Sequence, residues 1–158
     1  ALVGAYASQM DIQVASLRYF TVYGPRQRSD MAFTKWIGAA MTGGPVTIYG
    51  DGSAIRDFTY VQDVVNATIA VATTPLEGHE VYNVAGGNPV TVNEVLEIIE
   101  GLVGKPLNRV NTPKALGDPD RTGGTTDKIR AATDWASHWQ LEDGLAQQVA
   151  WFAGSEGS

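Results

Sequence analysis

Residues 49–63, YGDGSAIRDFTYVQD, place an arginine behind a Gly-Asp-Gly turn, with Tyr49 before the turn and Phe58 and Tyr60 after it. A guanidinium can grip a diphosphate through two parallel charge-assisted hydrogen bonds, a geometry that lysine cannot reproduce. An aromatic ring such as Tyr49 offers a flat face for a nucleobase. The same residues also fit a structural role, with Arg56 paired to Asp57 or Asp63 and the aromatics in a core. A second basic stretch, LRYFTVYGPRQRSDMAF at 17–33, ends a strand in a proline turn bearing Arg26 and Arg28.

The whole chain is acidic, with a net charge of −6 over 158 residues. That balance disfavours nucleic acid or an anionic membrane as the main partner. An anionic ligand therefore needs a local cluster of cations, and Arg18, Arg26, Arg28 and Arg56 in the first third of the chain could supply one. The absence of cysteine excludes disulfides and thiolate metal sites. His79 and His138 lack metal-ligand spacing and read as packing or surface residues. No apolar run approaches the roughly 20 residues of a membrane span, and a cytoplasmic location is the expectation.

The positioning elements follow from apolar periodicity. QVASLRYFTV reads as a strand that runs into the Gly24-Pro25 turn. Phe33, Trp36, Ile37, Ala40 and Met41 predict a helix stopped at Gly43-Gly44-Pro45. VTIY and DFTY read as short strands, the second feeding a helix with Val61, Val64, Val65 and Thr68 on one face. After strand EVYNVA, Thr91 and Glu94 form a capping-box pattern ahead of the stripe Val92, Val95, Leu96, Ile99 and Val103. LNRVN predicts a further strand, TPKALGDPDRTGGTTD a long loop, and DKIRAATDW and LEDGLAQQVAWF two final helices. The opening ALVGAYASQM reads as the back half of a helix, so a piece of a longer protein is expected. The glycine pairs at 43–44, 86–87 and 123–124 read as turn punctuation. No dinucleotide glycine fingerprint, P-loop, nucleophile elbow or H-E-x-x-H is present.

Four segments, RYFTVYGPRQRSDMAF, IYGDGSAIRDFTYVQDVVNA, YNVAGGNPVTVNEVLEIIE and GDPDRTGGTTDKIRAATDW, occur in the order and spacing of the extended short-chain dehydrogenase/reductase family. From about residue 1 to 153 the chain resembles the NAD-dependent nucleotide-sugar epimerases and dehydratases of that family, above all those acting on UDP-glucuronate or UDP-glucose. The resemblance implies an α/β fold: the C-terminal part of a Rossmann-like protein, with a small mixed α/β substrate-binding domain. Residues 1–30 and parts of 57–85 are expected to belong to the Rossmann half, and 154–158 to form a flexible tail. The glycine-rich loop and the catalytic Tyr-x-x-x-Lys pair are expected in a missing N-terminal half. No catalytic residue is therefore expected within this chain, which is expected to be inactive alone.

The resemblance also implies roles for individual residues. Tyr19, Phe20 and Val22 are implied to approach the nicotinamide of NAD. Thr21 stands where typical UDP-glucose enzymes carry an asparagine that contacts the sugar nucleotide. Thr47 and Tyr49 match the segment flanking uracil, Arg56 the arginine on the diphosphate, and Asp118 the acid that accepts from ribose hydroxyls. Ala115 departs from relatives that carry a second phosphate-binding arginine, so either Lys114 or Arg121 compensates or the grip is weaker. Thr21 together with RQRSDMA resembles the UDP-glucuronate enzymes, which makes Arg28 the candidate contact for a sugar carboxylate, although Ser29 replaces their usual proline. The implied reaction is 4-epimerisation of a UDP-sugar through a transient 4-keto sugar, in a full-length homodimer without metal, nucleic acid or membrane partners. UDP-glucose epimerisation, decarboxylation, 4,6-dehydration and a non-catalytic nucleotide-sugar-binding module are the alternatives.

Overall fold

The structure, a computed structural model, describes residues 2–114 and 116–155. Its elements run α1 (Leu2–Met10), β1 (Val14–Tyr19), β2 (Val22–Tyr23), α2 (Ala32–Thr42), β3 (Pro45–Tyr49), β4 (Ile55–Asp57), β5 (Thr59–Tyr60) and α3 (Val61–Ala72). They continue with β6 (His79–Val84), β7 (Pro89–Thr91), α4 (Val92–Val103), β8 (Asn108–Thr112), α5 (Asp127–Thr133) and α6 (Leu141–Ser155). Three strand pairs are parallel, β1 with β6, β2 with β5 and β3 with β8, and β4 pairs antiparallel with β7. Parallel pairing requires crossovers, and the helices between the paired strands provide them.

The α/β reading holds, and local sequence explains most boundaries. Gly43 ends α2 in the left-handed conformation with φ 74°, a C-cap that glycine adopts without steric cost. The capping box on α4 is present, the Thr91 hydroxyl accepting from the Glu94 amide while the Glu94 carboxylate accepts from the Thr91 amide at 2.7 Å. Helix α6 runs on through Gly154 and Ser155, two residues into the stretch expected as a flexible tail. No proline or left-handed residue interrupts its ladder before that point. Residues 156–158 lie outside the described residues.

Three expectations need correction. QVASLRYFTV is not one strand: the chain breaks after Tyr19, β1 pairing with β6 and β2 with β5. DFTY is not one strand, because the chain changes partners at buried Phe58: β4 faces β7, and β5 faces β2. The crossing is tight. A Cβ on Gly86 would lie 2.0 Å from the Phe58 carbonyl oxygen, so that position accepts only glycine. The short β7, opened by Pro89, carries no alternation long enough to be read from sequence. Helix α3 does not bury Val65 and Thr68, which face outward; its inner row is Asp63, Ala67 and Val71.

The apolar residues form two clusters. The larger packs Tyr23, Phe33, Ile37, Val46, Ile48, Leu96, Ile99 and Leu145 between α2, α4, α6 and the strand pairs. The smaller gathers Ala67, Val71, Tyr82, Val84, Ile129 and Trp135 under α3 and α5. Asp63 joins them. Its carboxylate, fully buried, accepts from the Ser137 hydroxyl at 2.7 Å and from the His138 and Trp139 amides at 3.2 and 3.1 Å. Its carbonyl accepts from the Trp135 indole at 3.1 Å. Trp139 then stacks on Tyr60 with ring centroids 4.2 Å apart.

A buried carboxylate is tolerated only when its lone pairs are satisfied, and its removal strands the donors that faced it. Asp63→Ala is expected to destabilise the protein by about 3 kcal/mol, with Asp63→Asn intermediate. Urea unfolding of the two variants checks this. An Asp63→Ala loss below about 1 kcal/mol, within the range of an ordinary surface substitution, would show that the carboxylate is not a structural hub.

Candidate functional site

Strand β3 alternates, with Val46 and Ile48 buried and Thr47 and Tyr49 on the open face. Tyr49, 63% exposed, is a wall shared by two cavities. One, of about 400 Å³, is lined by Asp30, Lys35, Trp36, Pro45, Thr47 and Tyr49. Its Trp36 indole donates to the Thr47 carbonyl at 3.1 Å, which fixes the indole at the edge of the strand. The other, of about 360 Å³, is bounded by Tyr49, Gly50, Asp51, Ser53, Lys114 and Asp120.

The Gly-Asp-Gly turn builds the floor of the second cavity. Gly52 has φ 80°, and a Cβ there would come within 2.2 Å of Asn93 Oδ1. Asn93 in turn donates through Nδ2 to the Asp51 carbonyl at 3.0 Å, anchoring the turn to the first turn of α4. Asp51 accepts from the Ser53 hydroxyl and amide, and these bonds hold its carboxyl below the usual carboxylate range. Lys114 pairs with Asp120 at the rim and lowers the Asp120 pKa in the same way.

Arg56 leaves the turn on β4 with its side chain 15% exposed. Nη2 donates to Asp118 Oδ1 at 2.6 Å and Nη1 to the Ile55 carbonyl at 2.8 Å. Its carboxylate partner is thus Asp118, 62 positions away, rather than Asp57 or Asp63. The structure brings together two residues to which the sequence had assigned separate duties. Asp57 points away from this pair. Its carboxylate accepts from the Gly87 amide at 3.0 Å and lines a cavity with Arg121, Gly123 and Gly124. Burial raises its pKa above the ordinary value, and bonds from Gly87 and Gly86 and the nearby Arg121 offset part of that rise.

The remaining candidates lie around the Gly24 turn. Val22, Arg28 and Met31 share a cavity of about 320 Å³ with Tyr23, Gly24 and Gln27. Arg28 is largely exposed and forms a fork with Asp30, Nε and Nη2 donating at 2.9 and 2.5 Å. The expected arginine cluster is therefore divided, Arg28 and Arg56 each holding a different acid. Thr21 is half-buried and its carbonyl accepts from the Thr59 amide at 3.1 Å. The Phe20 ring turns toward Gly124, where a Cβ would lie 2.6 Å away, while the Tyr19 hydroxyl meets that of Thr68 at 3.1 Å. Of the two cations considered as substitutes near Ala115, Lys114 borders the Tyr49 cavity and Arg121 the Asp57 cavity. Ala115 itself lies outside the described residues.

Sequence reasoning missed the polar network behind the Gly24 turn. Gln148 on α6, 1% exposed, accepts from the Gly24 amide at 3.0 Å and donates to Gln27 Oε1 at 3.1 Å. A glutamine within LEDGLAQQVAWF carries no local signal of such contacts. Among the described residues no group of three or more metal-ligating side chains is present, and no helix is long and apolar enough to cross a membrane.

The sequence and the fold, apart from any one side chain, match a known class. The NAD dependent epimerase/dehydratase family matches residues 1–85, more than half of the chain, and the chain belongs to that family. It is 38% identical over 144 residues to a UDP-glucuronate 4-epimerase of Thermodesulfobacterium geofontis, a match covering 89% of this chain and 43% of that protein. The UDP-glucuronic acid 4-epimerase of Bacillus cereus, solved with UDP-glucuronic acid and NAD, superimposes with a TM-score of 0.92 at 32% identity over 98% of this chain and 49% of that one. The UDP-glucose 4-epimerase of Thermotoga maritima, solved with UDP-glucose, gives 0.93 at 28% identity, covering 98% and 50%. The chain spans about half the length of these relatives.

Asp57 supplies a pH test. Its raised pKa means that the stability it contributes is fully present below the ordinary carboxylate value and is lost as pH rises through the folded-state value. Asp57→Asn removes that penalty. The stability difference between variant and parent is expected to move in the variant's favour as pH rises from about 4 toward neutrality. Parallel stability curves from urea unfolding across that range would rule out a burial penalty on this carboxylate.

Proposed function

We propose that this chain supplies the nucleotide-sugar-binding portion, residues 1–153, of an NAD-dependent UDP-sugar 4-epimerase, with UDP-glucuronate as substrate. Residues 1–30 and parts of 57–85 belong to its Rossmann half. The observation that carries the reading is the partly buried guanidinium of Arg56, held by Asp118 one turn away from the exposed ring of Tyr49. A cation kept close to one carboxylate, with further donors left on its fork, suits an incoming diphosphate. Tyr49 and Thr47 present a flat, open strand face to the uracil, and Asp118 accepts from the ribose hydroxyls.

Support for the sugar comes from the Gly24 turn. Arg28 is exposed on a cavity wall and forms a bidentate fork with a carboxylate, Asp30, which is the geometry a glucuronate carboxylate would take. Thr21 lies at the entry to this turn. Holding the carboxylate has a second use. A 4-keto glucuronate is a β-keto acid, and fixing its carboxylate away from the geometry of bond cleavage disfavours loss of carbon dioxide.

The residues assigned to the cofactor fit it. Tyr19, Phe20 and Val22 lie where the chain passes from β1 to β2, each strand in its own parallel pair, an apolar stretch whose Phe20 amide and carbonyl are satisfied by Val84 and Thr59. Such a stretch receives a flat nicotinamide ring by contact alone, in keeping with ligand sites at the carboxyl ends of parallel strands. When bound, NAD supplies reversible oxidation at sugar C4. The chain's own task is to clasp the UDP end while the sugar turns, so that remote binding energy serves orientation. No Tyr-x-x-x-Lys occurs in these 158 residues, and the chain alone is expected not to turn substrate over.

Two experiments test the assignment on the full-length protein. Arg56→Ala is expected to weaken UDP by about ten- to a hundred-fold in calorimetric titration, the loss typical of hydrogen bonds to a charged group; unchanged affinity removes Arg56 from the site. Arg28→Ala is expected to lower kcat/KM for UDP-glucuronate about ten-fold or more while sparing UDP affinity. Ready conversion of UDP-glucose with none of UDP-glucuronate would show that Arg28 has another role.

A further inference from the structure

We infer that Gln148, on α6, is a positioning residue that sets the Gly24–Arg28 turn for the sugar. The apolar stripe of α6, Leu141, Leu145, Val149 and Phe152, gives no packing reason for an amide at an adjoining buried position. A buried amide is costly unless bonded, and both ends of this one are engaged with the turn: its oxygen with the Gly24 amide and its nitrogen with Gln27. Gln27 extends the network, donating to the Val22 carbonyl at 3.0 Å and accepting from the Thr34 amide and hydroxyl, both at 3.2 Å.

The held conformation is one the turn does not favour by itself. The Gln27 amide donates to the Gly24 carbonyl at 3.2 Å, closing a four-residue turn around Pro25 and Arg26. Arg26 has φ 67°, in the left-handed region where the third residue of such a turn is usually glycine or asparagine. A side chain is kept there only when its surroundings over-determine it. Helix α6 does so from behind, through Gln148 and through Gly144, where a Cβ would come within 2.3 Å of the Tyr23 hydroxyl. Arg28 follows two residues later, so a relaxed turn moves its guanidinium. The role in sugar binding rests on the UDP-sugar reading above; the holding of the turn does not.

The test uses the full-length protein with Gln148→Met, which keeps length and apolar packing, and Gln27→Met, which cuts the same network from the other side. Titrations with UDP and with UDP-glucuronate separate the two ends of the ligand. Either variant is expected to raise the UDP-glucuronate Kd about ten-fold and to change the UDP Kd less than about two-fold. The double variant is expected to lose little more than either single one, as for members of one network. Equal weakening of both ligands, or of neither, overturns the inference. Exchange of the Gln27 backbone amide, which closes the turn on the Gly24 carbonyl, decides the holding role independently of any sugar: exchange at least ten-fold faster in the variants supports it, and unchanged exchange overturns it. If the parent protein binds no UDP-sugar, the functional reading fails and this exchange result still stands. Should Gln148→Met not fold, Gln27→Met carries the same readouts.

Discussion

One buried carboxylate organises this molecule. Asp63 begins on α3, inside the smaller cluster, and its bonds to Ser137, His138 and Trp139 seize the segment leading into α6. Without those bonds nothing local would direct that segment, since ASHWQ has neither helical nor strand periodicity. With them, Trp139 is brought onto Tyr60, and the start of α6 is placed behind Tyr23. The two apolar clusters are thereby set against each other by a polar contact, with direction and register that apolar packing alone would leave loose.

From that anchor the surfaces of the candidate site follow. Helix α6 backs the Gly24 turn, and β3 and β4 deliver Tyr49 and Arg56. Tyr23 sits within the larger cluster, edge-on to Phe33, Phe58 and Tyr60. Burial pushes its phenol well above the usual range, with Tyr60, Asp63, Glu142 and Asp143 adding to the rise. This tyrosine therefore stays neutral and donates to main-chain carbonyls, a structural part rather than an acid–base one.

Much of this was legible in the sequence because it is local. The α4 capping box, the glycine stop of α2 and the alternation of β3 each depend on residues a few positions apart. The glycines of the Gly-Asp-Gly turn and the arginine after them were equally plain. What escaped was set by contacts between distant segments. Nothing near Arg56 announces Asp118, and nothing near Gln148 announces Gly24. Asp63 was hidden for a related reason: a carboxylate on a helix reads as its solvent face, and here tertiary donors invert that rule. Phe58 looked like the middle of a strand because a change of pairing partner leaves no mark on side-chain alternation.

Tyr49 carries one last implication. Its ring stands between two hollows of similar size, one toward Trp36 and the other toward Lys114. A rotation about its Cα–Cβ bond reshapes both at once, and such side chains have few staggered settings to choose from. The setting of one phenol therefore bounds both hollows.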